Sequence, residues 1–524
     1  MAESTRIRSA SCAALIIALA AIAASTGDAQ QPHAGKATYD KWCAGCHGAT
    51  GAGDGAAAAY MLPRPRDFTK GVYQIRTTAS GAIPTDADIR RVIDDGMPGT
   101  AMPGWREALS ETERSNLVAY IKTFSTFFTA APNVVEVGGA PGGGDEAIGD
   151  GRKVYETLEC SKCHGQAGRG DGPSSPTLTD DWEHPIRAAD LTESWNFTGG
   201  SSVEAIYTRL RTGLDGTPMP SFTDVIESKI ITDEQLWHVA QYVRSLSPQK
   251  APEIREVVRV VRTEGPVPAG PDDSLWNRVE SQYIPVVGQI IVKPRWFAPT
   301  VDGVWVQAMH DGSRIAMRIR WHDPSRSPDP RWEEWRGRIV TTLADPDSAG
   351  PAAHGPDRFT VQFPATLGDG ERPYFLGGTA RRPVHLWRWT SEPDAVAEGT
   401  GAGLGQFTPR PGAAELTHAA RFVDGEWQLQ LTRALVPRDT VASPALPVGR
   451  AIPIAFFASD GSNGEDEMRT AVSAWYALYL DVPTSPRVYA TPLVAMVLTA
   501  GLGVLVGRSA RGRGRHSERP TREE

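Results

Sequence analysis

The pentapeptide Cys-x-x-Cys-His occurs twice in this chain of 524 residues, and it constrains the fold more than any other feature. It reads CAGCH from Cys43 to His47 and CSKCH from Cys160 to His164. The fifth cysteine, Cys12, lies in an apolar N-terminal segment, so no pair is left for a structural disulfide between domains. Each pentapeptide must therefore serve a local site of its own.

The sequence around the two pentapeptides recurs as well. A Gly-x-Gly-Asp-Gly motif begins four residues after each histidine, and DDGMPGTAMPGW recurs as RTGLDGTPMPSF. The spacing from His47 to Met102 and from His164 to Met219 is 55 residues in both copies. Capping-box patterns, Ser-x-x-Glu and Thr-x-x-Gln, predict a final helix in each copy. We therefore expect one module of about 100 residues that is used twice.

This arrangement is typical of covalent haem attachment. Two thiols on one helical turn can add across the two vinyl groups of haem, and the histidine that follows then faces the iron. A methionine sulfur is a soft, neutral second axial ligand, and glycine and proline around it predict a loop that can reach over the porphyrin. The predicted attachment and ligand residues are Cys43, Cys46, His47 and Met102 in the first module and Cys160, Cys163, His164 and Met219 in the second.

Other uses of a Cys-x-x-Cys pair fit this sequence less well. Zinc would require four ligands, whereas each cluster offers three nearby residues. A redox dithiol does not require the histidine, and a plain disulfide would not recur with a methionine at a fixed offset. Met97 competes with Met102 for the first iron, but Met97 aligns with Leu214 and Met102 with Met219, which favours Met102. Met61 is a more remote candidate.

Both modules resemble class I c-type cytochromes, of the kind fused in tandem in dihaem cytochromes. The resemblance covers residues 34–126 and 147–247. It implies two small all-helical domains, each enclosing one haem with an exposed edge. The predicted cytochrome domains are residues 30–131 and 147–247, joined by a flexible Gly-rich linker, 132–146.

After a Pro-rich linker, residues 248–273, the sequence pattern changes. Apolar and polar residues alternate in segments such as RIAMRIRWH and WQLQLT, and turn residues separate them. A period of two over many short segments predicts an antiparallel β-sandwich at about residues 274–482. The predicted fold is therefore multidomain, with two all-α cytochrome c domains, this sandwich and a C-terminal transmembrane helix.

The segments VQAMHDGSRIAMRIRWHDPS, DRFTVQFP and IPIAFFASDGSNGEDEMRTAVSAWYALYL resemble the haem-b-binding subunit of ethylbenzene dehydrogenase and its relatives among molybdenum enzymes of the dimethyl sulfoxide reductase type. The resemblance implies a non-covalent haem b, ligated by methionine and lysine. This chain departs from that pattern, because its last lysine is Lys293 and its late strand offers Thr432 and Arg433 instead. The remaining candidate haem b ligands are Met309, Met317, Met468 and His385.

Two apolar segments predict the topology. The run AALIIALAAIAA, preceded by arginines, predicts a secretory signal peptide over residues 1–29. Residues 488–507 contain no charged residue and are long enough to span a bilayer as a helix. Residues 508–524 carry six arginines, and such a tail stays in the cytoplasm. We therefore expect an exported protein at the periplasmic face of the bacterial inner membrane, with its C-terminus inside.

These features together predict a membrane-anchored dihaem cytochrome that transfers electrons between a respiratory oxidoreductase, or the quinol pool, and a further cytochrome or oxidase. The net charge of −8 is spread along the chain and argues against a nucleic-acid partner. Two alternatives stay open. One is the haem subunit of a molybdenum oxidoreductase whose catalytic subunit is a separate protein. The other is a dihaem peroxidase, which needs an open iron site and therefore conflicts with two methionine ligands.

Overall fold

The computed structural model shows two helical modules followed by a sheet domain and a C-terminal helix. The structure describes residues 33–129, 131–343, 355–367, 375–410, 415–440, 443–483 and 487–514. The predicted signal peptide and the end of the predicted basic tail, residues 515–524, lie outside the described residues.

Module 1, residues 33–129, contains the helices α1 (Lys36–Trp42), α2 (Ala44–His47), α3 (Asp86–Asp95) and α4 (Glu111–Lys122). The capping box predicted at Ser110 is formed, since its side chain accepts the Glu113 N–H while the Glu113 carboxylate accepts the Ser110 N–H. The fully buried Tyr39 and Leu117 belong to the module's apolar core. Outside the helices, Thr78 forms an isolated β-bridge with Val134 at the start of the Gly-rich linker.

Module 2, residues 145–247, contains the helices α5 (Asp145–Thr157), α6 (Ser161–His164), α7 (Val203–Thr212), α8 (Thr223–Glu227) and α9 (Asp233–Ser245). The capping box predicted at Thr232 is also formed. α5 crosses α9 so closely that a Cβ on Gly151 would lie 2.0 Å from the His238 carbonyl oxygen. At the same crossing in module 1, a Cβ on Gly35 would lie 2.2 Å from the Asn116 carbonyl oxygen. Both crossings therefore require glycine.

The two modules contact each other through a buried arginine. Arg76 of module 1 is 0% exposed, and its Nη2 lies 2.7 Å from a carboxylate oxygen of Asp215 in module 2. The same Nη2 donates to the Thr212 carbonyl oxygen at 2.7 Å. Removing one partner of such a buried ion pair typically costs about 3–5 kcal/mol, so this contact holds the modules against each other.

The sheet domain, residues 257–480, contains thirteen described strands. These are β1 (Val257–Arg262), β2 (Gln282–Gly288), β3 (Gly303–His310), β4 (Arg314–His322), β5 (Arg358–Pro364), β6 (Val384–Ser391), β7 (Asp394–Gly401), β8 (Thr408–Pro409), β9 (Thr417–Val423), β10 (Glu426–Ala434), β11 (Ala451–Ser459), β12 (Ala471–Ser473) and β13 (Tyr476–Leu480). Their order is β8-β7-β6-β5-β11-β12-β2-β3-β4-β10-β9, with β13 beside β11 and β1 between β13 and β3.

Strand β1 lies within the segment that the sequence predicts as a linker, residues 248–273. It pairs in parallel with β13, where Val257 is opposite Ala477, and in parallel with β3, while the other strand pairs are antiparallel. Val258 and Val260 are buried, whereas Val257 and Arg259 are exposed, so this short segment has the period of a half-buried strand. Part of the predicted linker is therefore a strand of the sheet.

The two halves of the sheet pack face to face. Trp321 of β4 lies 5.8 Å, centroid to centroid, from Trp389 of β6, although these strands are far apart in the sheet order. Trp427 of β10 lies 4.8 Å from the same Trp389, and Trp321 stacks on Phe359 of β5 at 4.9 Å. The helix α10 (Glu333–Thr342) lies between β4 and β5 in sequence and buries Trp335 in a smaller apolar cluster.

The last described element is the helix α11 (Arg487–Gly514). Its segment Ala490–Arg511 contains an apolar window of 18 residues with a mean hydropathy of 2.0, and this window is 0% buried against the rest of the chain. Among the described residues it is the one helix whose length and composition would suit a membrane span. It overlaps the predicted span at residues 488–507.

Candidate functional site

Each pentapeptide forms a single short helical turn. The His47 N–H donates to the Cys43 carbonyl oxygen at 2.9 Å, and the His164 N–H donates to the Cys160 carbonyl oxygen at 2.9 Å. The four cysteines of the described chain are free and partly buried. In each module the backbone therefore gathers two thiols and one imidazole on one turn, as the sequence predicts.

The Gly-x-Gly-Asp-Gly motif wraps the end of this turn. In each module, two N–H groups of the motif donate to carbonyl oxygens of the pentapeptide. The four bonds run from Gly53 to His47 (2.9 Å), from Gly55 to Cys46 (3.0 Å), from Gly170 to His164 (2.9 Å) and from Gly172 to Cys163 (3.2 Å). The motif satisfies carbonyl groups that a helix of one turn leaves without partners, which explains why it accompanies both pentapeptides.

A backbone carbonyl group fixes the orientation of each histidine ring. Nδ1 of His47 lies 3.0 Å from the Arg66 carbonyl oxygen, and Nδ1 of His164 lies 2.9 Å from the Ala189 carbonyl oxygen. A carbonyl group only accepts, so Nδ1 carries the proton and Nε2 keeps its lone pair for a metal. Burial lowers the pKa of His47 and of His164, which favours the neutral ring that metals bind.

A third repeat, which the sequence reading missed, builds the loop that carries this carbonyl. It reads RPRDFT in module 1 and RAADLT in module 2. One carboxylate oxygen of Asp67 accepts the Thr69 N–H at 2.9 Å and the Thr69 hydroxyl at 2.6 Å. Asp190 accepts the same groups of Thr192 at 2.8 and 2.6 Å. The pattern Arg-x-x-Asp-x-Thr was visible in the sequence, although the two copies lie at different distances from their histidines.

The two predicted methionines occupy equivalent loops. In each loop a threonine hydroxyl donates to one carbonyl oxygen and accepts the methionine N–H, and a third bond closes the ring. The bonds are Thr100 to Met97 (2.7 Å), Met102 to Thr100 (3.2 Å) and Met97 to Met102 (3.0 Å), and then Thr217 to Leu214 (2.7 Å), Met219 to Thr217 (3.3 Å) and Leu214 to Met219 (3.1 Å). Met102 thus corresponds to Met219, and Met97 to Leu214, in the fold as in the alignment.

The chemistry of these side chains fits a covalently attached haem better than a redox dithiol. Burial raises the pKa of Cys43 to about 11 and that of Cys160 to about 12, whereas a reactive dithiol needs a lowered thiol pKa. The donor set of two thiols, a neutral imidazole and a separate thioether loop is present in both modules. The residues therefore fit one haem c per module.

An open cavity of about 430 Å³ lies beside the pentapeptide of module 1. Gly55 and Arg64 line it from module 1, and Trp182 lines it from module 2. The Arg66 guanidinium lies 4.8 Å from the Trp182 ring, and its Nη1 has no hydrogen-bond partner among the described residues. An arginine held in this way suits a carboxylate group that enters the cavity.

The candidate haem b ligands of the sheet domain are committed to other contacts. Met309 packs in a small cluster with Trp276, and Met317 belongs to the main apolar core. His385 Nε2 lies 2.9 Å from a carboxylate oxygen of Glu398, and the buried Arg433 lies 3.5 Å from the same oxygen. These contacts account for the burial of Met309, Met317 and His385 without a cofactor, whereas Met468 is only half-buried. Haem b in this domain stays a prediction.

Family models match both modules. Residues 30–121 match the model described as cytochrome c oxidase, cbb3-type, subunit III, and residues 148–247 match the model described as cytochrome c. These matches coincide with the two modules that the pentapeptides predict.

Similar proteins include subunits of oxidoreductases. A protein described as a respiratory nitrate reductase heme subunit, from Haloferax mediterranei, is 25% identical over 239 residues, which are 45% of this chain and 76% of that protein. The gamma subunit of dimethylsulfide dehydrogenase from Rhodovulum sulfidophilum is 27% identical over 179 residues, which are 32% of this chain and 59% of that subunit. This chain therefore spans less than two thirds of the latter relative.

A solved structure also shares sequence with this chain. It is a chain of the reducing HAO-like protein complex of Kuenenia stuttgartiensis, 45% identical, with a TM-score of 0.38 and coverage of 41% of this chain and 96% of that one. The family matches and the duplicated site together identify the N-terminal part of the chain as a tandem of two cytochrome c-type domains, for which covalent haem c is the implied cofactor.

Proposed function

We propose that this protein is a membrane-anchored dihaem cytochrome c that transfers electrons as a subunit or partner of an oxidoreductase complex. The observation that carries the proposal is the duplicated site, in which the same turn, the same histidine-orienting carbonyl and the same methionine loop are built twice. Two such sites on modules that are packed together suit stepwise electron transfer better than substrate chemistry.

The residues of each module would divide the work of holding one haem. Cys43 and Cys46 would form its two thioether bonds in module 1, as Cys160 and Cys163 would in module 2. His47 and His164 would bind iron through Nε2, with their rings held by a backbone carbonyl. When bound, haem c supplies a one-electron iron couple, and methionine ligation raises its potential.

Met102 and Met219 would close the second face of each iron. A six-coordinate iron has no position for peroxide, so the peroxidase alternative requires that one of the two methionines does not bind its iron. The equivalent hydrogen bonds of the two methionine loops favour the same role in both modules. We therefore place the protein among electron carriers and not among peroxidases.

The buried contact between Arg76 and Asp215 supports a relay between the modules. Because this ion pair ties the modules together, the separation of their two prosthetic groups would stay fixed while electrons pass. The sheet domain would provide a docking platform for a larger oxidoreductase. The names of the nitrate reductase and dimethylsulfide dehydrogenase relatives support such a subunit role, and a molybdenum enzyme is the partner class we favour.

The C-terminal helix would anchor the protein, with the modules and the sheet domain in the periplasm and the arginine-rich tail in the cytoplasm. The predicted export signal supports this orientation, because haem c is attached to exported chains. Deleting residues 488–524 should release a soluble protein that still carries its haems. A truncated protein that stays in washed membranes would show that the helix is not the anchor.

The full function is tested with the purified membrane protein. A pyridine haemochrome spectrum should show two haems c per chain, and it counts haem b at the same time. A redox titration should show two one-electron transitions, and the reduced protein should donate electrons to an oxidised soluble cytochrome without consuming hydrogen peroxide. Rapid peroxide turnover would favour the peroxidase alternative, while co-purification with a molybdenum subunit would favour the subunit assignment.

A further inference from the structure

Three buried carboxyl groups meet at one end of the sheet domain, and none of them belongs to the residues proposed to hold haem. Asp323 follows β4, Asp357 precedes β5 and Asp460 follows β11. Their exposed fractions are 1%, 0% and 1%. One carboxylate oxygen from each lies within 4.8 Å of the corresponding oxygens of the other two. Residues that are far apart in the sequence therefore bring three acidic oxygens to one point.

The charges around this point are unbalanced. A fourth buried carboxyl group, that of Glu465, accepts the Asp460 N–H at 3.1 Å. Arg187 of module 2 reaches this region, where it donates to the Asn463 amide oxygen at 2.7 Å. Four buried carboxyl groups thus lie close together, and carboxylates without enough positive charge are costly in a protein interior.

Most oxygens of the cluster have donors that hold them in place. Asp357 accepts N–H groups of Ser327 (2.8 Å), Trp427 (3.0 Å) and Gly461 (3.1 Å). Asp460 accepts the Ser462 N–H at 2.8 Å and hydroxyl groups of Ser327 (3.1 Å) and Thr300 (2.8 Å). These bonds fix the directions of both carboxylates, as is common for groups that bind a metal.

Asp323 differs from its two neighbours. Its Oδ1 accepts the Ser325 N–H at 3.1 Å, whereas its Oδ2 has no hydrogen-bond partner among the described residues. The Ser325 hydroxyl oxygen also lacks a partner there, although this side chain is 2% exposed. Buried polar atoms in folded proteins normally have partners, so these two oxygens indicate that a ligand belongs to the cluster.

We propose that Asp323, Asp357 and Asp460 bind a divalent hard cation, Ca²⁺, in the folded protein. The converging side chains offer only oxygen atoms, which Ca²⁺ prefers, and no thiolate or imidazole that would favour zinc or copper. Oxygen atoms within 4.8 Å of one another can share a cation, since a Ca²⁺–oxygen bond is roughly 2.4 Å long. The cation would pin β4, β5 and β11 together.

Protons are the competing source of positive charge. Burial raises the pKa of Asp357 to about 7 and raises that of Asp323 and Asp460. A cluster whose carboxyl groups are neutralised by protons alone would need no metal. In that case, removing one carboxyl group would raise the stability of the protein instead of abolishing its stabilisation by calcium. Replacing Asp323 by Asn would then remove an unfavourable group and stabilise the protein whether or not calcium is present.

The test uses the full-length haem-loaded protein. Calcium and iron are counted by elemental analysis after dialysis against calcium-free buffer. The thermal unfolding midpoint is then measured in two parallel samples, one with excess CaCl₂ and one with excess EGTA. We expect one calcium per two haem irons and a higher midpoint with calcium. In Asp323→Asn the calcium-dependent rise should disappear, with at least about a tenfold loss of calcium affinity.

The matched control is Asp272→Asn, whose carboxylate is 62% exposed and pairs with Arg421 on the surface. This variant should keep the full calcium response. Should Asp323→Asn fail to fold, Ser325→Ala provides a milder change that should weaken calcium binding. Equal midpoints of the wild-type protein in calcium and EGTA, with no stoichiometric calcium, would overturn the proposal, as would equal stabilisation of Asp323→Asn in both buffers.

Discussion

Arg64 and Arg187 occupy equivalent positions in the two modules, and both side chains end on the sheet domain. Arg64 Nη2 donates to the Thr342 carbonyl oxygen, at the end of α10, at 2.8 Å. The Arg187 guanidinium lies 5.7 Å from the ring of Trp335 in the same helix. The duplicated Arg-x-x-Asp-x-Thr segment therefore positions a histidine-binding carbonyl and also fastens each module to α10.

Removing the Arg64 side chain should measurably weaken the contact between module 1 and the sheet domain. Arg64→Ala should weaken the attachment of module 1 to the sheet domain by about 1–3 kcal/mol, because the arginine's hydrogen bonds to backbone carbonyl groups are lost. Faster limited proteolysis between the domains would report this. Arg106→Ala is the control, since Arg106 is 53% exposed and pairs with the equally exposed Asp95, and such surface pairs contribute only about 0–1 kcal/mol. Equal proteolysis of both variants would contradict the docking role.

Haem attachment should be separable between the modules. The double variant Cys160→Ser and Cys163→Ser should keep one covalent haem in module 1, because each turn holds its own thiols. Intact-protein mass spectrometry under denaturing conditions should show two haem additions in the wild type and one in the variant. Two additions in the variant, or none in the wild type, would contradict the assignment of Cys160 and Cys163.

If each methionine binds one haem iron, replacing one methionine should change the reduction potential of one haem only. Met219→Ala should lower the potential of one haem, because water or another ligand that favours the ferrous state less replaces the thioether. The weak far-red sulfur-to-iron band of the oxidised protein should fall by about half. Met97→Ala is the control, since Met97 corresponds to Leu214 and should leave the band intact. A band lost in Met97→Ala and kept in Met102→Ala would reverse the assignment in module 1.

The buried carboxyl group of Glu193 should make the folded protein less stable at alkaline pH, at the contact between module 2 and the sheet domain. This side chain is 4% exposed, and Asn196, which donates to it at 3.0 Å, also donates to Asp302 of the sheet domain at 2.9 Å. Burial, together with the nearby carboxylates of Asp302 and Asp190, raises the pKa of Glu193 to about 10. The folded protein therefore keeps a proton here that the unfolded chain releases near its ordinary pKa of 4.5.

The proton that Glu193 retains stabilises the folded protein, and this contribution is fully present below about pH 4.5. As the pH rises towards 10 the contribution is lost, and the free energy of unfolding falls by at most about 1.4 kcal/mol per pH unit. Glu193→Gln keeps the neutral form and should flatten this fall in thermal unfolding curves recorded from pH 5 to pH 10. The exposed Glu227→Gln serves as the comparison. Parallel curves for Glu193→Gln and the wild type would rule out this group as the source.

The parts of this fold that can be predicted from the sequence are those that depend on residues close together in the chain. One helical turn places Cys43, Cys46 and His47 together whatever the rest of the chain does, and capping boxes start their helices from side chains three residues apart. The parallel pairing of Val257 with Ala477 joins residues more than 200 positions apart, and a short Val-rich segment among prolines gives no hint of its partner. The meeting of Asp323 with its two acidic neighbours depends on that same non-local arrangement.

The parallel pairing of β1 with β13 also fixes where the chain enters and leaves the sheet domain. The chain arrives from module 2 at the Val257 end of this ribbon and leaves towards α11 at the Leu480 end. Parallel strands keep their entry and exit points at opposite ends, about 10–15 Å apart for strands of this length. In the proposed orientation, the chain would therefore arrive from module 2 and leave for its membrane anchor at opposite ends of one strand pair.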